Sequence, residues 1–340
     1  MSEQKNKACS ARAGKVGGQA VIEGIMMRGP KKYCTAVRTE NKKILRDIHP
    51  NQSIRDKIKP LGWPIIRGVV SFVESMILSF STLSFAAESI GYEEETAFDR
   101  WLTKHFGKTI TAIAAGIGSV LGIALSLVLF FWLPTVISNF VGQYVKIPYF
   151  KNVLEGIFKI IIFLCYICII SLLPDIKRVF MYHGAEHKSI FCYENGLDLT
   201  VENVKTQNRL HPRCGTSFMI LMMFVGVFVS LFLPRDNTII YVGLKILTLP
   251  ITMGLGFEII RFAGKHNNAF IRFITAPGKW MQLITTKEPT DDMIEVAIVA
   301  LKSALDEEFS EKSVFEGIYQ PEDEEKTVSE PAGTENNDPQ

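Results

Sequence analysis

Four stretches of the chain are nearly free of charge. Residues 109–138 and 216–233 contain no Asp, Glu, Lys or Arg. Residues 153–173 hold only Glu155 and Lys159, and residues 238–260 only Lys245 and Glu258. Apolar runs of this length predict membrane-spanning helices. Pro250, with Gly254 and Gly256, predicts a kink or a small-residue packing face in the last of them. Residues 61–90 are apolar too, but carry Arg67, Glu74 and Glu88. Charges inside lipid are costly, so this stretch reads as an interfacial or re-entrant helical segment.

The segments between these runs are polar. Residues 1–60 combine a Gly-rich loop, Gly17 to Pro30, with an alternation of apolar and polar positions over Tyr33–Thr39 and Lys43–Ile48. That alternation around Glu40-Asn41-Lys42 predicts a β-hairpin. A second hairpin is expected from Ser189–Tyr193 and Leu197–Thr200 flanking Asn195-Gly196. Within 261–309, Arg261 to Thr286 mixes apolar and basic residues, an interfacial or re-entrant pattern with Trp280 at headgroup level. An amphipathic helix follows Thr290, with Ile294, Ile298, Leu301, Leu305 and Phe309 on one face. Residues 310–340 are acidic and poor in large apolar side chains, the composition of a disordered tail.

Composition agrees with this division. Of 340 residues, 47% are hydrophobic and 21% charged, which fits a multi-span protein with water-facing segments better than a soluble enzyme. The N-terminus stays polar for too long to read as a signal peptide. Six cysteines are present, two of them (Cys165 and Cys168) inside an apolar run, so a disulfide scaffold is not expected. The distribution of Lys and Arg sets the orientation. The linker before the second run holds Lys146 and Lys151, and the linker before the fourth holds Arg235. The 174–215 segment holds Lys177, Arg178, Lys188, Lys205, Arg209 and Arg213, and both terminal segments are basic near the apolar runs. Positive-inside bias places the N-terminus, 174–215 and the C-terminus in the cytoplasm, provided 61–90 does not cross. The expected fold is thus an α-helical integral membrane protein of about four spans, plus the 61–90 segment, with a small α+β cytoplasmic domain. Its expected location is a bacterial plasma membrane, with the lipid bilayer as one partner and no specific nucleic acid.

Candidate chemistry lies in 174–215, between spans one and two (109–173) and spans three and four (216–260). Pro174 can start a helix on which His183 and His187 share a face. Imidazoles at i and i+4 can hold one divalent ion, and His-x-x-Glu-His, with Glu186, is the inverted zinc-peptidase pattern. His211 and Cys214 can complete the ligand set. Imidazole and thiolate donors suit zinc. The bland alternative is that the histidines hydrogen-bond interfacial carbonyls and Cys214 is a small buried side chain.

Several separate motifs resemble one family. They are Glu23-Gly24-Ile25-Met26-Met27-Arg28-Gly29-Pro30, Tyr182-His183-Gly184-Ala185-Glu186-His187-Lys188, Leu199 to Val204, and His211-Pro212-Arg213-Cys214-Gly215-Thr216-Ser217-Phe218. With Pro277 to Gln282 and Glu288-Pro289, they resemble the YqhQ-like family of bacterial multi-span proteins of unknown function, catalogued as predicted metal-dependent enzymes. The resemblance covers residues 15–308 and implies a metal enzyme without naming a substrate.

Three functions are open on this reading. The first is a membrane-embedded, metal-dependent enzyme, a hydrolase by default. In it His183, His187, His211 and Cys214 are ligands and Glu186 is a base or further ligand. Glu23 and Arg28 contact substrate if the Gly-rich loop folds over the site. The second is a non-catalytic membrane factor whose His/Cys/Glu cluster staples a partner-binding domain, for example in membrane-protein biogenesis. The third, transport, rests on Glu74, Lys245 and Glu258 in apolar surroundings.

Overall fold

The computed structural model describes residues 12, 14–91, 108–145, 147, 149–211, 214–265 and 269–318. The alternation around Glu40-Asn41-Lys42 forms the hairpin expected of it, β3 (Lys32–Arg38) and β4 (Ile44–Pro50). The Gly-rich stretch before it is not a loop. It forms two further strands, β1 (Gly17–Val21) and β2 (Gly24–Arg28), giving a four-stranded antiparallel sheet in chain order. The reason is burial. Val21, Ile25, Met26 and Met27 lose nearly all contact with solvent, and a strand satisfies their backbone groups on the way in. Gly24 must be glycine here, because a Cβ would stand 2.5 Å from the Ala36 carbonyl oxygen. Glu23, in the β1–β2 turn, takes a left-handed φ of 49°.

The segment expected to lie at the interface forms one continuous helix, α1 (Ile66–Ser89). Its first turns press on a later helix, with Gly68 against Gly254 and Arg67 paired with Glu258. Farther along, Glu74 accepts from the Ser53 hydroxyl and the Ile54 N–H, Ser79 donates to Gln19, and Ala86 packs on Val21 and Val37. Thus α1 bridges the helical bundle and the sheet.

The remaining helices follow the apolar runs. A π-helical turn, Val128–Trp132, joins α2 (Lys108–Leu127) to α3 (Leu133–Gly142). Pro134 sits at the start of α3, where its missing N–H is tolerated. Then come α4 (Phe150–Ile170), α5 (Pro174–Glu194), the short α6 (Val201–Lys205) and α7 (Gly215–Ser230). Next are α8 (Thr238–Leu247), α9 (Leu249–Lys265), α10 (Ala269–Thr285), α11 (Asp291–Ala304) and α12 (Glu311–Val314). Among the described residues, three helical stretches are long and apolar enough to cross a membrane: Ile66–Ser89, Ile117–Gly142 and Phe150–Ile170. The pair α8 and α9 makes a fourth if its 50° bend beside Pro250 is counted within one span. The third predicted span is shorter, since α7 has 16 residues.

The hairpin expected around Asn195-Gly196 is absent. Helix α5 runs through it to Glu194, because Ile190, Cys192 and Tyr193 are buried in the main core. Asn195-Gly196 is instead a helix stop. Gly196 has φ +68°, its N–H donates to the Tyr193 carbonyl, and Leu197 N–H donates to the Cys192 carbonyl. This is a Schellman cap. The helix expected after Thr290 forms, but from Met293 to Ala304 nearly every residue is buried, so α11 is the centre of the α+β core, not a helix laid on its surface. It packs on β2 and β3 and on α5, while α5 packs on β1. Of the acidic tail, residues 310–318 are described and include α12; the rest lies outside the described residues.

Candidate metal centre

Three donors converge where α5, the N-terminus of α7 and the end of α10 meet. One ligand atom each from His183, His187 and Cys214 all lie within 4.8 Å of one another. The i, i+4 spacing on α5 aims both imidazoles the same way, and their ring centroids are 4.4 Å apart. Cys214 arrives as the N-cap of α7, its sulfur 3.2 Å from His183 Nε2.

Backbone carbonyls orient the rings. His183 Nδ1 lies 2.8 Å from the Thr285 carbonyl oxygen, and His187 Nδ1 is hydrogen-bonded to the Arg209 carbonyl oxygen. A carbonyl only accepts, so each Nδ1 carries a proton, and in a neutral ring that leaves the Nε2 lone pair for a cation. This is the outer-sphere arrangement that fixes tautomer and orientation in histidine metal sites. Burial lowers His187 below the ordinary imidazole range, with Cys214 opposing, so the neutral ring that a cation needs is favoured. The donor set, two imidazoles and a thiol, therefore fits a zinc-type ion.

His211 stands apart from the other three. Its backbone is clamped by the Gln282 amide, which accepts from the His211 N–H and donates to the His211 carbonyl, both at 2.9 Å. Its Nε2 faces Glu194 Oε2 at 3.4 Å, and its ring centroid is 5.7 Å from that of His187. His211 thus lies beside the trio and outside it. Pro212 and Arg213 lie outside the described residues.

The trio walls a cavity of about 960 Å³. Glu186 and Arg28 line it as well; Glu23 does not. Glu186 is buried against Gly18 of β1, where a Cβ would stand 2.8 Å from its Cγ. Burial pushes its carboxyl up to about 7, with His183 pulling the other way. Arg28 is aimed by its Nε–H donating to Asn51 Oδ1 at 2.8 Å, and Asn51 is itself tied to the Gly29 carbonyl. Glu23 is engaged elsewhere, accepting both nitrogens of a forked Arg178 at 2.5 Å and the Tyr182 hydroxyl at 3.3 Å.

Sequence reasoning missed Gln282, the Thr285 and Arg209 carbonyls, and Gly18. Only Gln282 had a signal, as a polar residue in a quoted motif within an apolar helix. The charges that suggested transport are each paired: Glu74 with Ser53, Glu258 with Arg67, and Lys245 with Glu155.

No solved structure matches this chain. The Bacillus subtilis (strain 168) "Uncharacterized protein YqhQ" is 36% identical over 297 residues, covering 85% of this chain and 92% of that relative. The family described as "Protein of unknown function (DUF1385)" matches residues 63–307, which hold α1 and all three converging donors. By both matches, the chain belongs to the DUF1385 family, with YqhQ as a relative.

Proposed function

We propose that this protein is a divalent-metal-dependent hydrolase embedded in a bacterial plasma membrane, with its site on the cytoplasmic side. The observation that carries the reading is the His183, His187 and Cys214 trio, with both Nδ1 atoms anchored, opening on a cavity of about 960 Å³. Closed structural zinc sites use four protein ligands, whereas catalytic sites use three and keep a position open. His211, the fourth candidate, is turned to Glu194, which favours the open form.

A bound ion, zinc by its donors, supplies Lewis acidity at a substrate oxygen. The chain's own residues do the rest. His183, His187 and Cys214 hold the ion. Glu186 takes a proton from an attacking water; its carboxyl, raised to about 7, suits proton exchange near neutrality. Arg28 binds negative charge on the substrate.

Membrane insertion is supported by apolar helices with apolar outer faces: Ile117, Leu121, Leu125, Ile161 and Ile169 are all largely exposed. The excess of Lys and Arg in 174–215 supports the orientation with both termini in the cytoplasm. Contacts of α1 from Glu74 to Ala86, with the Ser53 segment and the sheet, support an α1 held on the site's side.

A second reading has its own support. The cluster ties together α5, α7, α10 and the 209–211 segment, as a structural staple for a partner-binding domain would. The experiment is metal analysis of the purified full-length protein, with turnover of a bacterial lipid extract in vesicles. One equivalent of zinc, and a conversion lost in His187→Ala and on chelation, supports the enzyme. Zinc held by four protein ligands with no conversion supports the staple. No transition metal, with an unchanged phenotype in His183→Ala plus His187→Ala, overturns both.

A further inference from the structure

The cavity does not end at the metal ligands. A second cavity, of about 510 Å³, lies between α1, α7 and α9, and its deep wall is apolar: Phe72, Leu78, Phe218, Phe257 and Ile260. The two cavities share Gly18, Arg28, Ser79 and Cys214 as common wall. One chamber therefore holds the candidate chemistry, while the adjoining chamber is the more apolar and is formed by bundle helices together with residues of β1 and β2. Both volumes fall in the roughly 300–1,000 Å³ range of ligand sites.

The boundary carries charge suited to a head group. Arg28 lines both cavities and uses only its Nε–H on Asn51. Among the described residues its two terminal nitrogens have no hydrogen-bond partner. Such a guanidinium presents a fork for a phosphate or carboxylate. Lys15 lines the larger cavity.

We propose that the substrate of this site is a membrane amphiphile: an anionic head beside Arg28 in the chamber of the metal ligands and a hydrocarbon tail in the chamber between α1, α7 and α9. The inference rests on the hydrolase reading only for the word substrate; the binding claim stands on the paired cavities. An acidic glycerophospholipid and a polyprenyl phosphate share this chemistry.

Photolabelling separates these cases. The full-length protein, in phosphatidylcholine nanodiscs, is irradiated with phosphatidylglycerol, polyprenyl phosphate or neutral diacylglycerol, each with a diazirine in its tail, and adducts are mapped by mass spectrometry. One or both anionic probes are expected to label α1 near Phe72 and α9 near Phe257, and the stronger identifies the tail class. Diacylglycerol labels there about tenfold less, the value of one charge-assisted contact. Arg28→Gln erases the preference and Arg28→Lys retains part of it. Ser75→Trp, which fills the apolar chamber, blocks labelling by every probe. Equal labelling by diacylglycerol overturns the anionic-head claim, and labelling confined to the outer faces overturns the proposal. These probe comparisons need no variant to fold. Labelling as expected in a protein without metal or turnover keeps this inference and sinks the hydrolase reading. Metal and turnover without preferential labelling does the reverse.

Discussion

Gly184 stands beside His183 on α5, and its replacement tests how the site is held. A Cβ there would stand 2.0 Å from the Lys287 carbonyl oxygen and 3.2 Å from its carbon. Lys287 belongs to the segment after α10, which is anchored by its own N–H donating to the Phe180 carbonyl at 2.8 Å. The obstacle is backbone, so it cannot rotate aside, and Gly184→Ala must push this segment off α5. Overpacking costs about 1–3 kcal/mol, and loosening the Lys287 bond adds roughly 1 kcal/mol. The better helix propensity of Ala returns about 1 kcal/mol. The net expectation is a loss of about 1–3 kcal/mol, dominated by the steric effect. Thr285, two residues before Lys287, accepts from His183 Nδ1, so metal affinity should fall by about 10–100-fold as that outer partner moves. The assay is thermal unfolding together with competition for zinc against a chromophoric chelator. Gly243→Ala, at a helix position facing open space, is the control and should be neutral or slightly stabilising. A Gly184→Ala protein that unfolds no earlier than the wild type and binds zinc equally well would refute the reasoning.

Further predictions concern groups around the site and in the bundle. Glu155 is buried with Lys245, Arg235 and Tyr241 around it. Glu155→Ala leaves buried cations unpaired and should destabilise by about 3–5 kcal/mol. Glu155→Gln with Lys245→Met should lose distinctly less in denaturant titrations, and equal losses would contradict the pairing. Burial pushes the Cys34 thiol up to about 12 and Cys192 up to about 11, from an ordinary value of 9.0. These raised values favour folding below pH 9, and that contribution is lost as pH climbs toward 11–12. At pH 8 their thiolate fractions are about 10⁻⁴ and 10⁻³. Iodoacetamide should therefore spare both and modify Cys214, with zinc protecting Cys214; mass spectrometry reads the outcome. Glu23→Gln should leave zinc affinity within about twofold and cost less than about 1 kcal/mol, since its Arg178 partner is half exposed. A large loss of zinc binding would put Glu23 back in the site.

The candidate site was more legible in the sequence than the fold around it. Two histidines one helical turn apart announce their shared face whatever surrounds them, and Cys214 lies close by in a motif. His211 is not drawn into the trio, for a reason no spacing reveals: the Gln282 amide, 71 residues away, holds its backbone and the ring faces Glu194. Local signals failed where burial competed with them. Asn195-Gly196 is a good hairpin turn, but Ile190, Cys192 and Tyr193 have more to gain in the core as helix. The glycines of β1 and the successive burial of Gly24 to Met27 in β2 leave no apolar–polar alternation to mark these strands. Arg67, Glu74 and Glu88 argued against a full span over 61–90; the structure pairs Arg67 with Glu258 and gives Glu74 the Ser53 contacts, removing the penalty for those two.

The central claim is a three-ligand ion site open to a cavity. X-ray absorption at the zinc edge of purified, zinc-loaded full-length protein tests it directly. The expected first shell holds two imidazole nitrogens and one sulfur near 2.3 Å, plus one light atom that an added anion displaces. A shell of four protein ligands unmoved by anions, an all-oxygen shell, or no stoichiometric zinc would contradict it.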